Sequence, residues 1–219
     1  TPRGDKVRIP DSLHPVVSVI IPTYGQVEFT LRCLSSISAH PPQVPFEIIV
    51  MDDAFPGEEV ARLKTEVEGI RLIRNPENQG FLYTCNIAAK EASGKYLYFL
   101  NNDTEVFPGA IDALVDVLEA DQTVGLTGSK LIFPDGKLQE AGGIIWSDAT
   151  GWNFGRGSDP HRPEYNYRRE VDYISGAAIM VRQDLFAQLG GFDPIFAPAY
   201  YEDTDLAFRI RQAGFKVVY

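Results

Sequence analysis

Along the first half of the chain, continuous apolar runs alternate with segments whose apolar residues recur every three or four positions. Val16 to Ile21 is a continuous run closed by Pro22, and its lack of alternation predicts a strand buried on both faces. Helical spacing follows through Phe29, Leu31, Leu34 and Ile37 until His40-Pro41-Pro42 stops it. Phe46 to Met51 predicts a second buried strand ending at Asp52-Asp53. Val60, Leu63 and Val67 fall on one face of an expected helix, and Ile70 to Ile73 supplies a third strand. Asn78-Gln79-Gly80 opens a helix carrying Phe81, Cys85, Ala88 and Ala89 that ends near Gly94. Tyr96 to Leu100 is a fourth strand closing on Asn101-Asn102-Asp103. Pro108 is placed in the first turn of a helix bearing Ile111, Leu114, Val115 and Leu118. Strands and helices taking turns with short connections predict an α/β fold around a largely parallel sheet.

The second half is less regular. Apolar segments stand at Gly125 to Phe133, Gly143 to Trp146 and Tyr173 to Val181, followed by two helix-like stretches. Between Trp146 and Val171 the chain is rich in Gly, Pro, Tyr and Arg without periodicity, which reads either as a functional lid or as a disordered loop. Residues 1–15 are charged and punctuated by Pro2, Pro10 and Pro15, and read as a linker ahead of a domain spanning 16–219.

The 219 residues, 44% of them hydrophobic, suffice for one sizeable core. Thirty acidic against 20 basic residues give a formal charge of −10, which argues against a nucleic-acid partner because there is no basic surplus to displace counterions. A phosphate ligand would then be held through a metal ion or a few placed donors. Cys33 and Cys85 both fall in helical segments without metal-ligand spacing and read as buried thiols of a reducing compartment. No apolar run approaches the roughly 18 residues that span a bilayer, so no transmembrane segment is expected. His14, His40 and His161 are scattered and form no zinc pattern. A Walker A sequence is missing, and Gly155-Arg156-Gly157 lacks both a third glycine and a preceding strand.

In a parallel sheet, ligands bind beyond the carboxyl ends of the strands. Thr23-Tyr24, Asp52-Asp53 and Asn101-Asn102-Asp103 all follow predicted strands directly. Each alone is explained as a turn or helix cap; together at one sheet edge they point to a polar ligand with a metal. One strand-end carboxylate such as Asp103 would hold a hard divalent cation while a diphosphate supplies further oxygens. A fourth acidic group, Glu202-Asp203-Thr204-Asp205, precedes an amphipathic helix. Acids favour a helix N-terminus, which explains one of these three comfortably and all three less well. One of them near the metal would serve as a general base.

The ordered set of these motifs resembles the family 2 glycosyltransferases, from about Val16 to Tyr219. Val17-Ser-Val-Ile-Ile-Pro-Thr-Tyr24 looks like the family's opening strand, and Glu47-Ile-Ile-Val-Met-Asp52-Asp53 like its second, with Ala54-Phe55 in place of the more usual Gly-Ser. Asn78-Gln79-Gly80-Phe81 through Asn86, Gly94-Lys95-Tyr96 and Leu100-Asn101-Asn102-Asp103-Thr104 are similar to its rhamnosyltransferase-like branch. Ser175-Gly176-Ala177, Gly190-Gly191-Phe192-Asp193 and Tyr201-Glu202-Asp203-Thr204-Asp205-Leu206 complete the pattern.

The resemblance implies a GT-A nucleotide-diphospho-sugar transferase fold, Rossmann-like, with a nucleotide-binding half near 16–105 and an acceptor half near 106–219. It assigns Pro22, Thr23, Tyr24, Asp52, Asp53, Gly80, Asn86, Asn101 and Asn102 to the nucleotide, with Asp53 accepting from the base's imide N–H. Asp103 becomes the ligand of Mn2+ or Mg2+, carrying more of that duty because Asn101 and Asn102 depart from a strict Asp-X-Asp. Asp203 becomes the catalytic base with Glu202 beside it, and Glu202 and Asp205 are the acids expected to tune it. The implied reaction is an inverting transfer from a UDP- or dTDP-linked sugar to a hydroxyl of a glycan or lipid-linked acceptor, in the cytoplasm, either free or peripheral to the inner membrane face.

Trp152, Tyr165 and Tyr167 are candidate sugar-stacking platforms and Arg168-Arg169 candidate anion contacts. Family members often add a metal-contacting His beyond the strand that starts here at Phe215, so a C-terminal truncation of a longer, multidomain chain is expected. Two other readings remain: a non-catalytic sugar-nucleotide-binding scaffold, and a sugar-phosphate nucleotidyltransferase. The latter is disfavoured because Thr23-Tyr24-Gly25-Gln26 carries no basic triphosphate loop.

Overall fold

Seven strands form the central sheet of the computed structural model, which describes residues 6–219. They are β1 (Val17–Thr23), β2 (Phe46–Asp52), β3 (Arg71–Arg74), β4 (Tyr96–Leu100), β5 (Val124–Gly128), β6 (Ala178–Arg182) and β7 (Lys216–Val218). Their spatial order is β7-β5-β6-β4-β1-β2-β3. Only β6 runs antiparallel, against β4 on one side and β5 on the other. The expected α/β fold with a mostly parallel sheet is therefore present.

Helices cover both faces. These are α1 (Val27–Ala39), α2 (Phe81–Glu91), α3 (Ala110–Ala120), α4 (Gln183–Gln188) and α5 (Glu202–Gln212), with a further single turn at Leu63–Glu66. Successive residues of β1 serve opposite faces, as the strand pleat requires: Val19 and Ile21 pack with Leu34, Ile37 and Leu118, and Ile20 with Leu82, Phe99 and Phe192. Burying each such side chain contributes roughly 1.5–3 kcal/mol, so an unbroken apolar run is what this strand needs. Cys33 and Cys85 are buried as expected, and burial pushes the Cys33 thiol up to about 12.

Several local expectations are corrected. The first strand does not stop before Pro22; Pro22 stays in register opposite Met51, and Thr23 opposite Asp52. Val60, Leu63 and Val67 do not share one helix. A 3-10 turn at Glu59–Arg62 and the turn at Leu63–Glu66 end there, and Val67–Glu68 pairs in parallel with Val7–Arg8. Thus part of the proline-rich leader is tied to the fold, with Ile9 buried; residues 1–5 of that leader lie outside the described residues. Pro108 precedes α3, whose N-cap is Gly109 at φ 74°.

The stretch from Trp146 to Val171 is ordered. Gly151–Asn153 pairs antiparallel with Gly143–Ile145, and Tyr165 is buried against Phe154. Arg169 donates to the carbonyls of Glu164 and Ala141 and lies over the rings of Phe154 and Tyr219. Tyr165 and Arg169 are therefore spent on packing and are not free to meet a sugar or an anion.

Candidate active site

The polar strand ends converge as expected. A cavity of about 330 Å³ opens beyond β1, β2 and β4 and is lined by Pro22, Thr23, Tyr24, Asp53, Asn102 and Asp103, with Gln26, Phe81 and Thr84. Its wall near β1 is rigid because the hydroxyls form a small network. Thr23 Oγ1 donates to the Gly25 carbonyl at 3.0 Å and lies 3.1 Å from Thr30 Oγ1, while Asn102 Nδ2 donates to Thr30 at 3.1 Å. Tyr24 stands half exposed, edge-on to Phe55 with ring centroids 5.2 Å apart. A Cβ at Gly25 would come within 2.7 Å of the Phe55 ring, so this close approach requires glycine. Ala54 occupies the left-handed region at φ 58°, where the resemblance leads one to expect glycine.

Asp53 is the hub of the next wall. Its Oδ1 accepts from Asn75 Nδ2 and the Gln79 N–H, and its Oδ2 from the Gly80 N–H, each at 2.8 Å. Oδ2 keeps a second acceptor position uncommitted among the described residues, and Asp53 lines the cavity, which suits a single N–H donor. Gly80 sits behind Asp53 at the start of α2, with φ 82°. Asp52 and Asn86 are not among the residues lining the cavity. Asp52 is buried, paired with the Arg74 guanidinium, and accepts from the Phe55 N–H at 3.1 Å. Asn86 spends both ends of its carboxamide on Phe192, donating to its carbonyl at 2.8 Å and accepting from its N–H at 2.9 Å. Asn101 also acts from behind, through its backbone.

Asp103 is exposed at the cavity rim, and its carboxylate makes no hydrogen bond or ion pair among the described residues. One uncommitted hard oxygen donor beside a carboxamide suits Mn2+ or Mg2+ with water and diphosphate oxygens completing the shell. No group of three or more His, Cys, Asp or Glu side chains able to hold a metal occurs among the described residues, so an all-protein cage is not what these residues fit.

The acidic segment at α5 joins this edge through backbone. Asn101 N–H donates to the Ala177 carbonyl at 2.9 Å, and the preceding Gly176 N–H donates to Asp203 Oδ2 at 2.7 Å. Asp203 Oδ1 accepts from the Thr204 N–H at 2.7 Å, which fixes the carboxylate while leaving lone pairs on both oxygens. Tyr200 and Tyr201 hold positive φ values of 81° and 68°, a strained entry that sets Glu202 and Asp203 at the helix start. Glu202 is buried with Oε2 unpartnered, and burial followed by the charge on Asp203 pushes it above the ordinary carboxylate range. Asp205 does not serve as the expected tuning acid, because Arg209 pairs with it at 2.6 Å.

A further acid went unnoticed in the sequence. Glu140 is fully buried, accepts from the Ser175 N–H through Oε1 at 2.9 Å, and leaves Oε2 without a partner. Burial, reinforced by the charge of Asp203, pushes it up to about 7. Nothing in the local pattern of Leu138-Gln139-Glu140 marks it, since a short amphipathic strand carries polar residues routinely.

The family model described as glycosyl transferase family 2 matches residues 18–190. The chain belongs to glycosyl transferase family 2. It is 31% identical over 222 residues to O-antigen biosynthesis protein RfbC of Myxococcus xanthus, covering 97% of this chain and 17% of that protein. It is 26% identical over 226 residues to an N-acetylglucosaminyl-diphospho-decaprenol L-rhamnosyltransferase of Mycobacterium tuberculosis, covering 93% of this chain and 73% of that one. The chain thus spans less than a fifth of the first of these relatives. A solved structure of GalNAc-T7 with UDP, GalNAc and Mn2+ superposes with a TM-score of 0.75 at 21% identity, over 95% of this chain and 43% of that one. A mannosyltransferase of Pyrobaculum calidifontis with GDP-Man and Mn2+ gives a TM-score of 0.66 at 19% identity, over 98% and 57%. The GT-A fold of this family 2 chain follows from these likenesses.

Proposed function

We propose that this family 2 chain is an inverting glycosyltransferase using a UDP- or dTDP-linked sugar and a glycan or lipid-linked hydroxyl acceptor, in cell-surface polysaccharide synthesis. The backbone link from Asn101 through Ala177-Gly176 to Asp203 carries this reading, because it ties the Asp103 edge of the donor cavity to a fixed carboxylate. Donor recognition is assigned to Thr23, Tyr24, Asp53 and Asn102, with the remaining acceptor position of Asp53 meeting the base's imide N–H. Asp103 would hold Mn2+ or Mg2+, which when bound supplies positive charge that offsets the charge gathering on the leaving diphosphate. Asp203 takes the acceptor hydroxyl's proton as that oxygen bonds to the anomeric carbon. The bond from that carbon to the diphosphate oxygen breaks, and its electron pair leaves with the nucleoside diphosphate. The printed names of the O-antigen and rhamnosyltransferase relatives support the polysaccharide role.

On the acceptor side, Trp152 is the proposed sugar platform, joined by Trp146. Their rings stack 6.5 Å apart on the 143–153 hairpin and both are about half exposed. The hairpin is anchored by Tyr173, whose hydroxyl donates to Asn153 Oδ1 at 2.9 Å and whose ring lies near the charge of Asp203. Among the described residues no helix is long and apolar enough to cross a membrane. A cytoplasmic location, free or peripheral to the inner membrane face, is proposed together with this function.

Calorimetric titration of UDP and dTDP, with and without manganese, tests the donor site. Manganese-dependent binding is expected, weakened at least about tenfold in Asp103→Asn. Binding that ignores manganese in both proteins would replace the transferase with the sugar-nucleotide scaffold.

A further inference from the structure

Consecutive N–H groups of the Ser175–Gly176 dipeptide go to two different acids, Glu140 and Asp203 of α5. Ser175 N–H donates to Glu140 Oε1 at 2.9 Å and Gly176 N–H to Asp203 Oδ2 at 2.7 Å. The dipeptide has no slack: the Asp203 Cβ lies 3.3 Å from where a Cβ on Gly176 would sit. A fully buried acid with one oxygen unpartnered is costly to keep, and Glu140 makes no ion pair among the described residues. The groups facing Glu140 are few: Asp203 from α5, Arg156 from the loop after the hairpin, and the hydroxyls of Tyr173 and Tyr219. Among these, Asp203 is the acid and Arg156 the cation.

We propose that Glu140 is a positioning residue for the transfer, fixing the Ser175–Gly176 turn that holds Asp203 and coupling its own proton to the charge on Asp203. This rests on Asp203 as the base. At the moment Asp203 takes the acceptor proton, an ionised Glu140 behind the same turn favours that transfer by adding negative charge. A protonated Glu140 keeps the geometry without that charge. The Ser175 N–H favours the ionised form while burial favours the protonated one, and Oε2 has no partner among the described residues that would fix either. Titration near 7 places the change inside the working range.

Side-chain carboxyl 13C NMR of the whole chain, followed from about pH 5 to 9, tests the coupling in wild type, Asp203→Asn and Glu140→Gln. Glu140 is expected to titrate near 7, with the Asp203 carboxyl resonance moving at the same midpoint. In D203N the Glu140 midpoint should fall, because the neighbouring negative charge is gone. In E140Q, whose carbonyl still accepts from Ser175, the movement at Asp203 should vanish while the melting transition stays cooperative. A Glu140 midpoint in the ordinary carboxylate range, or one unmoved by D203N, would overturn the proposal. Turnover by D203N is a separate measurement: retained transfer would remove Asp203 as base and leave the measured coupling in place.

Discussion

The two ends of the sheet treat buried acids in opposite ways. At the amino ends of the strands, Glu47 is buried and fully engaged. It accepts from Ser18 Oγ at 2.6 Å, the Ser93 N–H at 2.9 Å, Ser93 Oγ at 2.8 Å and Arg71 at 2.9 Å. Burial alone would raise its proton affinity, but these bonds outweigh burial and hold it below the ordinary range. At the carboxyl ends, Glu140 and Glu202 are buried with an oxygen each left over, and both are pushed up. A satisfied carboxylate staples β1, β2, β3 and the turn before β4 together; the unsatisfied ones stand near the charge of Asp203. One end serves stability; the other is where the proposed chemistry lies.

The largest effect expected at the reactive end is on turnover. Asp203→Asn should lower kcat by roughly a thousandfold, measured as nucleoside diphosphate release, with nucleotide binding and melting temperature kept. Retained turnover would make the two ends equivalent in role. Next comes the pH dependence of stability, where the ends should differ in sign. Glu140 is raised from 4.5 to about 7, so its stabilising contribution is full below 4.5 and is lost as pH rises through 7. That loss is on the order of 3 kcal/mol. Glu47 is lowered, so its contribution is present above 4.5 and is lost as pH falls through its folded value. Denaturant melts across pH should therefore lose their decline toward 7 in Glu140→Gln and keep it in Glu47→Gln.

Smaller is the cost of Glu47→Ala, about 2 kcal/mol from stranding Ser18 and Ser93, read as a lower denaturation midpoint with nucleotide affinity unchanged. A change in affinity instead would show that the staple reaches the cavity. Smallest is Trp152→Ala, which should raise acceptor KM severalfold, about 1 kcal/mol of lost stacking, with donor KM unmoved.

How much of this was legible depends on what kind of interaction placed each residue. The sheet strands of the first half were legible because burial on both faces demands unbroken apolar runs such as Val16 to Ile21 and Phe46 to Met51. Thr23, Asp53, Asn102 and Asp103 were legible because parallel strands bring their carboxyl ends to one edge. Pro22 misled at the strand end: its missing N–H is tolerated there, with Thr23 still in register beyond it. Val67 misled because a residue on a helical face can equally begin a two-residue pairing, here with Val7–Arg8, whose partner lies 60 positions away.

By itself, then, the order of apolar runs and strand-end acids determined the α/β class and the gathering of polar residues at one sheet edge, and the ordered motifs carried the resemblance to the family. The class and the polar edge follow from local periodicity and from the geometry of parallel strands, both written within short windows. Only the tertiary structure decided which acids are free. It committed Asp52 to Arg74, Asp205 to Arg209 and Asn86 to Phe192, left Asp103 open at the rim, and brought Glu140 from a minor strand to the turn that holds Asp203. Partner choice and desolvation depend on which distant segments fold against a side chain, and no window of sequence contains them.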